Sequence, residues 1–412
     1  MWELIRVNKR NSILLLIAMG VCLFALGAII GMAVRGPDGG MLGLIIATGI
    51  WLILTLISFT AGDQILLSAS NAVPVTHEVH PRLFNIVEEM SIASGLPVPK
   101  VYIINDPAPN AFATGRSPKS ASIAVTAGLL GKLNRDELQG VVAHEMSHIL
   151  HRDILFVTLA GIMLGSVALL SQVYLRSMFY GSMGGSRRRY SSDGKGAGGF
   201  MAVMMIVAII VAILAPILTQ LLYFALSRRR EYLADAGAAR LTRYPEGLAN
   251  ALEKIANDNA PQLTTANKVT APMFIVNPFK KMGQWKLSDL TSTHPPISER
   301  IRILRNMTQG VSFKDYSRAF EDVTKSKTIV PASALTNEDV ALRQASAEAK
   351  NERISKQMRD VGDIMRKVNG FVFLPCACGV TLKIPPNYKE KSVECPRCKK
   401  LLEIPKASVI DS

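Results

Sequence analysis

The sequence predicts a mainly α-helical integral membrane protein: four transmembrane helices carry a small α+β domain, split in two by the second pair, and a small β tail follows. Three observations predict it. Of the 412 residues, 49% are hydrophobic, and the mean hydropathy is positive, which is high for a soluble chain of this size. Four uncharged apolar runs are each long enough to cross a bilayer. The last forty residues hold four of the five cysteines, in two closely spaced pairs.

The apolar runs are Ser12 to Val34, Met41 to Ala61, Ile154 to Leu175 and Phe200 to Leu226, the last with Pro216 as a candidate kink. The first follows Arg6, Lys9 and Arg10. It is too long for the core of a cleaved signal and leads straight into a second span, so it reads as an uncleaved anchor with a cytoplasmic basic flank. Four crossings return the chain to the cytoplasm and leave the loops Arg35 to Gly40 and Arg176 to Gly199 outside. Arg176, Arg187, Arg188, Arg189 and Lys195 in the second loop oppose the usual enrichment of positive charge inside. Because the first span usually sets orientation, full crossing is the expectation, with a shallow second hairpin as the alternative. The expected location is the inner cell membrane, multi-pass, with both termini and the globular domain cytoplasmic.

The domain boundaries follow: 1–61 and 154–226 are hairpins, 62–153 and 227–308 are the two parts of the globular domain. Residues 309–370 read as a linker with an amphipathic helix, and 371–407 as the β tail. A net charge of +15 could mark a nucleic-acid binder. No such motif accompanies it, and the basic residues lie beside spans and in the tail, so the expected partner is anionic lipid and not nucleic acid.

Residues 141–152 read VVAHEMSHILHR. On a 3.6-residue helix His144 and His148 stand one turn apart on one face, so two imidazoles can reach one metal, and Glu145 lies about 100° round the axis. There it can hold a metal-bound water without being a ligand. The bland alternative is a helix that happens to carry two core histidines. A third ligand is offered by SRRREYLADAGAARLT at 227–242, where Glu231 and Asp235 are one turn apart. One carboxylate can ligate a metal while the other accepts a hydrogen bond from a ligand imidazole, or both can simply face solvent and pair with Arg228 to Arg230. The membrane frame favours the metal. His148 lies six residues before the third span and Glu231 five after the fourth, which places both within about 10 Å of the hydrocarbon edge and on one side.

Upstream, Val101 to Ile104 and Ala121 to Val125 read as strands, and Asn110 to Thr114 between them as an edge strand. An edge strand beside a metal site can pair with an extended peptide; an ordinary small sheet has the same spacing. In STHPPISERIRIL, residues 292–304, Pro295 suits a helix entry. His294 and Arg300 read as surface residues or as positive donors to an oxyanion. Farther on, Thr336 and Asp339 form a capping-box pattern, and Ile354, Met358, Val361, Met365 and Val368 make an apolar stripe. They predict a helix over 334–368 packed on the parent domain. In the tail, Cys376 and Cys378 form one knuckle and Cys395 and Cys398 another, sixteen residues apart. Four-thiolate zinc in a reducing compartment fits that spacing, with a redox pair as the alternative. Lys399 stands where such a knuckle often has Gly.

The order of two N-terminal spans, NAFATG, HEMSH, a second hairpin, SRRREYLAD and THPPISER resembles the HtpX-like branch of membrane zinc metallopeptidases, relatives of the CaaX prenyl endopeptidases. The resemblance covers residues 1 to about 308 and implies a zincin-type (gluzincin) catalytic domain in the cytoplasm. It implies an endopeptidase acting on polypeptides, membrane proteins among them, in membrane protein quality control. It makes His144, His148 and Glu231 the ligands of a catalytic zinc and Glu145 the general base, with Asp235 behind a ligand histidine. It makes His294 and Arg300 transition-state stabilisers, and Asn110, Ala111, Phe112, Ala113 and Thr114 the substrate strand. Cys376, Cys378, Cys395 and Cys398 would hold a second, structural zinc in a ribbon beyond it. Two other readings are a catalytically silent scaffold whose ribbon binds a partner and an oxidoreductase using the cysteines. Neither needs Glu145. Oligomeric state, substrate identity and the metal used in vivo have no signature in the sequence, since two His and one Glu also accept cobalt or manganese.

Overall fold

The computed structural model describes residues 2–155, 228–258, 295–326, 340–347, 361–366, 371–388 and 390–404. It also describes 171–172, 176, 205–206, 209–210, 213, 274–276, 330 and 369. The first two apolar runs form long helices, α1 (Trp2–Arg35) and α2 (Gly39–Ala69). Both are long and apolar enough to span a bilayer, where a helix satisfies every backbone group internally. They pack through glycines: a Cβ at Gly43 would lie 2.1 Å from the Gly27 carbonyl oxygen, so only a bare backbone allows this crossing. Ile13, Ile17, Ile45, Leu52 and Leu56 stay exposed and form an apolar surface suited to lipid tails. The third and fourth runs lie almost wholly outside the described residues.

Beyond α2 comes a four-stranded sheet. Its strands are β1 (Ala72–Pro74), β2 (Lys100–Ile104), β3 (Ala111–Thr114) and β4 (Ser122–Thr126). The order is β1-β2-β4-β3, with β2 parallel to β4 and the outer strands antiparallel to their neighbours. The three expected strands are present, and β3 is at the edge as expected. β1 is an addition: three residues ending in proline carry too little pattern to be read as a strand.

Helices α3 (Pro81–Ser94), α4 (Ala127–Lys132) and α5 (Arg135–Leu150) follow the chain around this sheet. α5, the helix of the two histidines, is fixed at its start by a capping box: Asn134 Oδ1 accepts from Glu137 N–H, and the Glu137 carboxylate accepts from Asn134 N–H. Val141, Val142, Met146 and Ile149 are buried in the main core, each stabilising by about 1.5–3 kcal/mol. A helix over 228–242 (α6), then α7 (Pro245–Ala256), α8 (Ile297–Arg305) and α9 (Phe313–Thr324), complete the domain.

The expected helix over 334–368 is corrected in part. Residues 340–346 have no helix, and helix is present over 361–366, where Val361 and Met365 do pack into the core. Thr336, Asp339, Ile354, Met358 and Val368 fall outside the described residues. The reason lies in one side chain. Arg343 reaches back to the start of α5, where its Nη2 donates to Asp136 Oδ1 at 3.0 Å and to Gln139 Oε1 at 2.6 Å, and its Nε donates to the Thr242 carbonyl at 3.0 Å. The Ser346 N–H takes the other Asp136 oxygen at 2.7 Å. A helix would withdraw these donors from a buried carboxylate. Part of the expected linker is thus a strap across the start of α5. Arg343→Ala is expected to cost roughly 1–3 kcal/mol by leaving Asp136 short of its cation, read as a lower urea midpoint than that of Arg343→Lys.

The tail forms two hairpins, β5 (Val372–Pro375) with β6 (Thr381–Ile384) and β7 (Ser392–Glu394) with β8 (Leu401–Glu403). Each ends in a knuckle. Gly379 (φ 85°) and Lys399 (φ 64°) are both left-handed, so the lysine sits where glycine would be free of strain.

Candidate active site

α5 delivers His144, Glu145 and His148; α6 delivers Glu231 and Asp235. The two helices touch at Gly237, where a Cβ would lie 2.0 Å from Ser147 Oγ. This close approach brings carboxylates from one helix onto imidazoles of the other. Glu231 Oε2 is 3.5 Å from His144 Nε2, and Glu231 Oε1 is 3.4 Å from His148 Nε2. The imidazoles stand edge to face, 4.8 Å between centroids.

Each histidine is turned by a second carboxylate on its other nitrogen. His144 Nδ1 lies 3.0 Å from Asp235 Oδ1, and His148 Nδ1 lies 3.4 Å from Asp153 Oδ2. The Nε2 atoms therefore point at the common centre. Asp153 carried no signal in the sequence, because five residues on it falls off the helical face of His148. What brings it back is the end of the helix: α5 stops at Leu150, and Arg152 beyond it is left-handed at φ 61°.

These groups can hold a cation. His144 Nε2 is buried with no hydrogen-bond partner among the described residues, a costly state for a polar atom unless something binds it. Zinc held tetrahedrally by nitrogen and carboxylate oxygen would keep its ligand atoms roughly 3.3 Å apart; the observed 3.5 and 3.4 Å are close to that. Charge agrees. Burial disfavours charging His144, but Asp235 and Glu231 outweigh it and raise its pKa; His148 is likewise pushed up to about 10 by Asp153 and Glu231 against burial. A site that draws in protons this strongly without metal is one where a dication can replace them.

Glu145 is buried beside the histidines and accepts a hydrogen bond from the Ala113 backbone of the edge strand β3. Burial raises its carboxyl above the usual range, and positive charge on His144 and His148 offsets part of that. Arg300, on α8, is fully buried. Its Nε and Nη2 fork onto Asp235 at 2.8 and 2.7 Å, and Nη1 lies 3.4 Å from Glu231 Oε2. It stands behind the carboxylates. His294 lies outside the described residues. Asn110, Ala111, Phe112, Ala113 and Thr114 lie together, Asn110 leading into β3. The four tail sulfurs also converge, Cys376 to Cys398 at 3.4 Å and Cys378 to Cys395 at 3.6 Å. That is too long for a disulfide at about 2.05 Å and near the roughly 3.8 Å edge of a four-thiolate zinc site. The backbone N–H groups of Cys398 and Arg397 bring Cys395 down to about 6, a thiolate at neutral pH.

Residues 78–308 match the model of Peptidase family M48. The chain belongs to that family. Among curated proteins, this M48 chain is similar to the "Protease HtpX homolog" of Caldanaerobacter subterraneus subsp. tengcongensis, 45% identical over 308 residues, 75% of this chain and 98% of that protein. It is 44% identical over 306 residues to the protein of the same name from Dictyoglomus thermophilum, covering 74% of this chain and 94% of that protein. Among solved structures, "Crystal Structure of S. mikatae Ste24p" matches at TM-score 0.40 and 21% identity, covering 74% of this chain and 67% of that one. M48 peptidases are zinc-dependent hydrolases, and with its two bilayer-length helices this chain is a membrane metallopeptidase. The match holds His144, Glu145, His148, Glu231, Asp235 and Arg300, and stops short of the Arg343 strap and the four cysteines.

Proposed function

We propose that this M48 peptidase is a membrane-embedded endopeptidase that hydrolyses misfolded and membrane proteins at the cytoplasmic face, in membrane protein quality control. His144, His148 and Glu231 are its zinc ligands. The reading is carried by Glu145, a carboxylate buried beside that ligand set and bonded to the edge strand: neither a scaffold nor a thiol oxidoreductase has use for it. Four crossings, with both termini inside, keep the site at the cytoplasmic membrane surface.

Bound zinc supplies a Lewis acid that polarises the scissile carbonyl and acidifies water. Glu145 takes the proton of the attacking water and then delivers it to the leaving amine nitrogen; a carboxyl pKa raised by burial suits both transfers near neutral pH. Asp235 and Asp153 hold the ligand histidines in the tautomer that presents Nε2. β3 pairs with the backbone of an extended substrate, main-chain hydrogen bonds giving affinity and the side-chain pockets beside the strand giving selectivity. His294 donates to the developing oxyanion, and Arg300 acts through Asp235 and Glu231. A second zinc on the four cysteines folds the tail, since a domain this small has little core of its own.

The test is cleavage of an unfolded polypeptide by the detergent-purified full chain, before and after removal of metal by a chelator and readdition of zinc. Loss and recovery are expected; cleavage indifferent to the chelator would sink the reading. Metal analysis is expected to give two zinc ions per chain, falling to one in Cys395→Ser/Cys398→Ser. One zinc in both proteins would remove the ribbon from the account.

A further inference from the structure

The outer edge of β3 is already in use. In an antiparallel pair, alternate residues of an edge strand turn their N–H and C=O away from the sheet. The Asn110 carbonyl is taken across the sheet by the Thr126 N–H at 2.9 Å, so Ala111 and Ala113 are the residues that face outward. The Ala111 carbonyl accepts the Ile275 N–H at 3.0 Å. The Asn110 side chain holds the next residue from both sides: its Nδ2 donates to the Val276 carbonyl at 2.9 Å, and its Oδ1 accepts the Val276 N–H at 3.4 Å. Arg300 Nη1 donates to the Ile275 carbonyl at 3.3 Å and is the same nitrogen that approaches Glu231. As the chain advances from 275 to 276 its partners step back from 111 to 110. The segment is joined to the edge by one backbone bond and by the Asn110 side chain, and it advances in the antiparallel sense.

We propose that Phe274–Val276 occupies the substrate cleft as a built-in mimic, and that a polypeptide substrate displaces it by presenting an aromatic residue followed by aliphatic ones on the same edge. This rests on the peptidase reading above and adds to it a substrate class and an internal competitor. The contacts of Ile275 and Val276 with the edge are made by their own backbone atoms, the mode an arbitrary extended peptide uses. The next outward group along the edge, the Ala113 N–H, is on Glu145, so the described contacts lie beside the group that does the chemistry. Its side chains fill formed pockets. Phe274 is fully buried, edge to face with Phe112 at 5.1 Å, in a cluster with Leu66 and Leu67 from the end of α2. A pocket walled by the membrane hairpin suits apolar segments, which folded soluble proteins keep inside.

The probe is a fluorescein-labelled peptide with Phe-Ile-Val in a Gly/Ser frame, and the protein is the zinc-loaded full chain in detergent carrying Glu145→Gln so that nothing is cut. Binding is read by anisotropy in this parent and in two further variants. Ile275→Pro deletes the N–H that Ala111 accepts, and Phe274→Ala keeps the backbone but empties the pocket. If the mimic holds the cleft about nine-tenths of the time, releasing it tightens the apparent Kd about tenfold. That gain is expected in both variants, with weaker binding of a Phe-Asp-Val peptide to all three proteins. An unchanged or larger Kd in variants whose zinc content and thermal transition match the parent overturns the proposal, as does equal binding of the aspartate peptide or no binding anywhere. Cleavage of unfolded polypeptide by the chain with Glu145 intact is scored separately. Cleavage without a gain in affinity removes the mimic alone; a gain without cleavage removes the catalytic reading alone.

Discussion

Glu145→Gln is expected to lower peptide-bond hydrolysis by about 10²–10⁴-fold while zinc content and the thermal transition stay at wild-type values. The substitution keeps the shape of the side chain and its acceptor for the Ala113 N–H, and removes only the ability to take a proton. Glu145 is not among the groups whose ligand atoms converge, which are those of His144, His148 and Glu231. Losing its charge therefore leaves the metal in place. Removing a buried carboxylate whose pKa burial already raises is also gentle on folding, because the neutral form is what the surroundings favour. Steady-state kinetics on one peptide, with metal analysis of the same preparations, checks both halves. Cleavage that survived would put the base elsewhere; loss of zinc together with activity would make Glu145 part of the cation site.

Much of this centre is legible in the sequence because helical spacing is a rigid ruler. His144 and His148 one turn apart, and Glu231 and Asp235 one turn apart, are geometric statements before any fold is known. The edge position of Asn110–Thr114 is one of two readings, decided by the direct pairing of β2 with β4. What was not legible comes from turns and from contacts remote in sequence. Asp153 reaches His148 from beyond the end of α5, past the left-handed Arg152. Arg343 reaches Asp136 across two hundred residues, and no local pattern in 340–346 distinguishes a strap from a helix. Ile275 meets the edge strand through one backbone bond, and a backbone bond leaves little trace in side-chain identity.

Arg300→Ala is expected to destabilise the domain by about 3–5 kcal/mol, a large share of the roughly 5–15 kcal/mol that holds a domain folded. The guanidinium and the Asp235 carboxylate are both fully buried, and the two hydrogen bonds between them are 2.8 and 2.7 Å long. Burial acts to raise the pKa of Asp235, yet the charge and hydrogen bonds of Arg300 hold it below the ordinary carboxylate range. Without them two acids, Asp235 and Glu231, face each other's charge beside the histidines with this guanidinium gone. The damage then reaches the metal, because Asp235 sets the ring of His144: zinc affinity is expected to fall by about 10–100-fold. A group that acted only on the transition state would behave otherwise, lowering kcat while the thermal transition and zinc affinity kept their wild-type values. Arg300→Lys separates charge from geometry. It restores a cation but not the planar fork, so a partial rescue of the thermal transition with poor recovery of zinc affinity is the outcome that assigns Arg300 to holding the carboxylates in place.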